Sequence, residues 1–73
     1  MRNLASLKKG QSGVVNSINI ENEIRKNHLL DMGLTVGTIV KVKKIAPTGD
    51  PICIELRGYE LCISKMEAEE IYV

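Results

Sequence analysis

The chain has 73 residues, 44% hydrophobic but only 3% aromatic, and a net charge of +1 with acidic and basic residues interspersed. That length excludes a second domain, since a chain this short buries only about 60% of the surface its unfolded form exposes, and the near-neutral balance excludes recruitment of nucleic acid or anionic lipid by bulk charge. Nine Ile, seven Leu and six Val beside no Phe and no Trp make the core aliphatic, which favours β structure.

In chain order, Leu4 and Leu7 are spaced like one turn of helix and can pin the N-terminal segment to a core before Lys9, Gly10 and Gln11 reverse direction. A first strand is expected over residues 12–19, with Val14 and Ile18 on one face. Residues 22–32 then read as a helix: Asn22 is its cap, Glu23 complements the dipole, and Ile24 with His28 or Leu29 has helical spacing. Gly33 in the left-handed conformation would end it and return Leu34 onto Leu29, the contact of a Schellman ending. Thr35-Val36-Gly37-Thr38 suits a type II turn with Gly37 third.

The strand at residues 38–45 points Val40 and Val42 inward and Lys41 and Lys43 outward. Its lysines, with Lys44, suggest a basic edge that discourages aggregation, and without interleaved aromatics they do not make an RNA surface. Ala46-Pro47-Thr48-Gly49 has the order of a type I turn. From Pro51 a strand carries Ile52, Ile54 and Leu56 on its core face. Gly58-Tyr59 fits a type II′ hairpin loop that brings Leu61 and Ile63 back on the same face. Ser64 and Glu67 have capping-box spacing, predicting one helical turn through Ala68 before a last strand at residues 71–73. The sum is a small all-β barrel of five strands, with one helix inserted after the first strand and a short helical turn before the last, all within a single domain spanning residues 1–73.

The two cysteines, Cys53 and Cys62, are too few for a disulfide framework. The expected hairpin register sets Cys53 opposite Ser64 and Cys62 opposite Glu55. The thiols are then diagonal neighbours roughly 7–8 Å apart at Cα, where a disulfide would be strained, and reduced thiols are expected. With His28 they supply three ligands where a structural zinc needs four, so no metal site is assigned, and solvent-facing cysteines are read as ordinary strand residues rather than as a transient Fe(II) site. His28 alone on a short helix is read as a surface side chain. Catalysis has no foothold: the chain shows no Ser-His-Asp set, no paired carboxylates in a cleft and no P-loop. No apolar run approaches the roughly 20 residues of a membrane span, and residues 1–10 lack the apolar stretch of a signal peptide. The expectation is a cytoplasmic protein with no enzymatic activity, no cofactor, no nucleic-acid partner and no membrane insertion, a monomer or weak homo-oligomer.

The string Leu-Leu-Asp-Met-Gly-Leu-Thr-x-Gly at residues 29–37 resembles the signature of the FeoA family, ferrous iron transport protein A. Ala46-Pro47 with Gly49-Asp50-Pro51, then Arg57-Gly58-Tyr59-x-Leu61, and finally Glu67-Ala68-x-x-Ile71-x-Val73 follow in the same order, so the resemblance spans nearly the whole chain. Val36, Thr48 and Ser64 depart from the family's usual Pro, bulky apolar residue and Arg. The resemblance implies an SH3-like barrel and cytoplasmic action beside FeoB, a membrane transporter with its own GTP-binding domain. It also leaves open a metal-responsive regulatory role, because the C-terminal SH3-like domains of iron-dependent repressors look like this family; starting at its own Met1, the chain carries no winged helix to read DNA. The expected contact surface combines the helix end, with Arg25, His28, Met32, Leu34 and Thr35, and the hairpin tip, with Arg57 and Tyr59. Charged residues at Met32 and Leu34 are expected to weaken partner binding and leave the barrel folded.

Overall fold

A computed structural model describes residues 2–73. A 3-10 turn, Leu4–Ser6, precedes β1 (Ser12–Val14) and β2 (Ser17–Ile18); α1 (Glu23–Asp31) follows, then β3 (Ile39–Ile45), β4 (Ile52–Leu56), β5 (Tyr59–Ile63), α2 (Lys65–Glu69) and β6 (Ile71–Tyr72). The strands form one four-stranded antiparallel sheet in the order β1-β3-β4-β5 and one two-stranded antiparallel pair of β2 with β6. These sheets face a single aliphatic cluster in which Leu4, Leu34, Val40, Val42, Ile54, Ala68 and Ile71 are completely buried. The class is the expected small β barrel with its helix after the first strand segment, although the hydrogen-bonded ring stays open between the two sheets.

The first expected strand divides in two. Val15 N–H donates to Thr38 O and Gly37 N–H donates to Val15 O, while one residue later Asn16 N–H donates to Tyr72 O, so the chain leaves one sheet and joins the other at this point. The bend shifts the alternation, which buries Val15 and leaves Val14 53% exposed opposite Ile39. The expected shared face of Val14 and Ile18 is thereby corrected: Ile18 is buried with Val15, and Val14 is not. β3 is likewise not an edge: β1 and β4 flank it on both sides, so Lys41 and Lys44 stand exposed on the outer face of a central strand and guard no open edge.

The local turn chemistry is as expected. Asn22 Oδ1 accepts from Arg25 N–H at 3.1 Å and caps α1. At the far end Gly33 N–H donates to Leu30 O and Leu34 N–H to Leu29 O, both at 3.0 Å, the paired bonds of a Schellman ending. Gly33 has φ +93°, which a side chain there would resist. Ser64 Oγ accepts from Glu67 N–H while Glu67 Oε1 accepts from Ser64 N–H, completing the capping box of α2.

The tip between β4 and β5 differs. Leu56 pairs with Tyr59, so the two loop residues are Arg57 and Gly58, with φ of 48° and 86°, the double left-handed geometry of a type I′ turn. The loop therefore moves by one position and the pairing by two residues from that of a Gly58-Tyr59 loop. Cys53 then lies directly opposite Cys62, and the two sulfurs are bonded, with the Cα atoms 3.9 Å apart. The expectation of separate, reduced thiols is overturned by this shift alone.

Candidate functional site

What holds Arg57 in a left-handed conformation, unfavourable for a residue with a Cβ, is its own side chain. The guanidinium reaches over the turn that joins α1 to β3. Arg57 Nε donates to Gly33 O at 3.1 Å, and Arg57 Nη2 donates to Thr38 Oγ1 at 3.2 Å and approaches Thr35 Oγ1 at 3.4 Å. Thr38, buried beneath, donates its hydroxyl hydrogen to the same Gly33 carbonyl at 3.2 Å. A hydroxyl has one hydrogen, so in the 3.0 Å contact between the two threonine hydroxyls Thr35 is then the donor. Gly33 is needed here for room as well as for φ: a Cβ on it would meet Arg57 Cδ at 3.0 Å and Tyr59 Oη at 3.4 Å. The helix end and the hairpin tip, separated by 24 residues in sequence, thus form one hydrogen-bonded unit.

A second feature adjoins it. Arg25, His28 and Leu29 of α1 line a groove shared with Leu61 and Cys62 of β5 and with Glu67 of α2. Arg25 Nε lies 3.5 Å from Glu67 Oε2, joining the two helices. Glu67 also holds the α2 cap, so this carboxylate has both oxygens engaged. Spacings of three and seven residues place Arg25, His28 and Met32 along one side of α1, a stripe that leads from the groove to Gly33 and the Arg57 clamp.

Of the seven expected contact residues, Thr35, Arg57 and Tyr59 gather around Gly33, beside half-buried Met32. Arg25 and His28 stand exposed at the groove. Leu34 is corrected: it is completely buried in the core, because the Schellman ending turns it inward, and it offers nothing to a partner. Thr38 and Gly33 were not anticipated as parts of this site. Only the Thr-x-x-Thr spacing hinted at the hydroxyl pair, and nothing near Arg57 in sequence marked its target. Among the described residues, no three His, Cys, Asp or Glu side chains gather where they could hold a metal ion. No helix among them is long and apolar enough to cross a membrane.

A short antiparallel barrel with a helix after its bent first strand and a single helical turn before the last defines a small SH3-like domain, here with a helix end clamped by Arg57. The chain belongs to the FeoA domain family, whose profile matches residues 2–73. The FeoA protein of Chlorobium tepidum is 38% identical, with a TM-score of 0.88 over 97% of this chain and 67% of that one. The FeoA of Stenotrophomonas maltophilia, described as an SH3 domain protein complexed with zinc, is 22% identical with a TM-score of 0.85 over 100% of this chain and 89% of that one. A manganese-dependent transcriptional repressor shares the fold at 17% identity and a TM-score of 0.89, over 99% of this chain and 40% of the repressor. No curated protein matches the chain. The fold class and the membership of the FeoA family expected from the sequence are both established by these matches.

Proposed function

We propose that the protein is a cytoplasmic, non-enzymatic accessory of bacterial ferrous iron uptake that docks on the cytoplasmic part of the FeoB transporter and modulates its assembly or activity. Membership of the FeoA family supports the pathway, and the Stenotrophomonas relative has itself been put forward as a ferrous iron transport activating factor. The observation that carries the docking surface is the Arg57 clamp. Three donor contacts fix the Arg57 guanidinium on the end of a helix, with Tyr59 beside it, so binding by the arginine there costs little side-chain ordering. Arg and Tyr are also the side chains that concentrate binding energy at protein interfaces. The contact surface is the α1 stripe of Arg25, His28 and Met32 together with Thr35, Arg57 and Tyr59.

Co-purification with FeoB, with and without GTP, tests the reading. A complex that responds to nucleotide and is weakened by Met32→Glu is the expected result. Absence of a complex in both conditions rejects it, and retention of operator DNA by the isolated chain would assign it instead to metal-responsive regulation.

A further inference from the structure

The bonded pair Cys53–Cys62 sits where the fold has least need of it. Five consecutive register pairs, from Ile52 with Ile63 to Leu56 with Tyr59, already hold β4 against β5, and Ile52, Ile54, Leu56 and Ile63 anchor both strands from the opposite face. The bond joins residues only nine positions apart, and short loops restrict the unfolded chain less than long ones do. It also lies on the outer face, with Cys62 exposed and Cys53 half-buried. Exposed disulfides of this kind are the ones that exchange with thiols in solution.

The strand order makes the two sulfurs inequivalent. A thiolate attacks a disulfide sulfur along the line of the bond, from the side away from the leaving sulfur. β5 is the outer strand of its sheet and β4 an inner one, so the line from Cys53 to Cys62 runs outward past β5. There Cys62 borders the groove shared with Arg25 and His28 of α1. Attack on Cys53 comes instead across β3, past Lys44, which is paired with Cys53 in the ladder, through a pocket that Cys53 lines with Lys9 and Pro47. Cys53 is the less exposed of the two residues, and that difference favours attack on Cys62.

We infer that Cys53–Cys62 is a reversible thiol–disulfide site, with Cys62 the sulfur attacked by a low-molecular-weight thiol of the glutathione class and Cys53 the leaving thiolate. In the first step the incoming thiolate forms a new S–S bond to Cys62 Sγ, the Cys53–Cys62 bond breaks, and Cys53 takes up a proton. In the second step a further thiolate attacks the small-molecule sulfur of the mixed disulfide and releases Cys62 as a thiol. Two electrons pass to the protein and two small thiols leave as one oxidised disulfide. The mixed disulfide places its substituent in the groove between α1 and β5, so the oxidation state of the pair governs what that groove holds.

The test incubates the full chain in buffers of varied reduced-to-oxidised glutathione ratio, quenches with N-ethylmaleimide and reads intact mass and peptide maps. Reversible interconversion, with the glutathione adduct mapped to Cys62, is expected. With oxidised glutathione, Cys53→Ser should acquire the adduct ~10-fold faster than Cys62→Ser, as access to the thiol dictates. Should either variant fail to fold by circular dichroism, the wild-type adduct map decides alone. An adduct mapped to Cys53, a bond that survives excess reduced glutathione, or two thiols that stay free in oxidised buffer would each overturn the inference.

Discussion

Gly33→Ala is expected to harm the protein through Arg57, and the two contributions can be separated. The first is backbone strain: alanine at φ +93° costs about 1–2 kcal/mol relative to glycine. The second comes from the new Cβ, which would lie 3.0 Å from Arg57 Cδ and 3.2 Å from Arg57 Nε. The arginine has to give way by a few tenths of an ångström, and on swinging clear it surrenders its bonds to Gly33 O and Thr38 Oγ1. At about 0.5–1.5 kcal/mol net for each, that adds roughly 1–3 kcal/mol. Once Arg57 is already alanine there is nothing to displace, and Gly33→Ala should cost only the strain. The double-mutant cycle should therefore show a coupling of about 1–3 kcal/mol, read from urea unfolding midpoints at constant m-value. Arg57→Gly supplies an internal check, since it loses the clamp but relieves the left-handed residue at φ 48° and should be about 1 kcal/mol more stable than Arg57→Ala. If the two substitutions instead add within about 0.5 kcal/mol, the clamp does not tie the helix end to the hairpin tip.

Further expectations follow from burial and capping. Met32→Glu should lower FeoB affinity at least ~10-fold, as loss of a contact residue at an interface commonly does, while the urea midpoint of the free protein stays near that of the wild type. Leu34→Ala should cost about 2–5 kcal/mol, because it empties a fully buried site, and a charged residue there should abolish the folded circular dichroism spectrum. Ser64→Ala removes one half of the α2 capping box and should lower stability by about 1 kcal/mol in the same assay. Val15→Ala should destabilise by about 1–3 kcal/mol and Val14→Ala by less than about 0.5 kcal/mol; the reverse order would contradict the bend between β1 and β2.

The parts of the fold that could be read from the sequence are those decided within five or six residues. Gly33 after Leu29-Leu30 and Glu67 three residues after Ser64 each specify a helix terminus whose hydrogen-bond partners are near neighbours in the chain. The hairpin tip is different. Gly58 suits either the first or the second loop position, and local preference disfavours the second because it forces Arg57 into the left-handed region. That preference is overridden by bonds to Gly33 and Thr38, residues 24 and 19 positions away. The two-residue shift in pairing, and with it the bonding of the cysteines, thus depended on a tertiary contact. The shared face expected for Val14 and Ile18 failed for a related reason: alternation holds within one sheet, and the chain changes sheets between Val15 and Ile18. The candidate site was legible residue by residue for Thr35, Arg57 and Tyr59. Its arrangement was not, because neither Thr38 nor the Gly33 carbonyl carries a mark of the arginine above it.

The pairing of β2 with β6 continues into the first and last described residues. Asn3 forms an isolated bridge with Tyr72, and Val73 N–H donates to Arg2 O at 2.8 Å. The chain therefore enters and leaves the domain at nearly the same point in space. A unit with this geometry can be spliced into a surface loop of a host protein without prying the host's strands apart. For the same reason its two extremities can be joined by a few glycines and reopened at the Pro47–Gly49 turn to give a circular permutant with the same core.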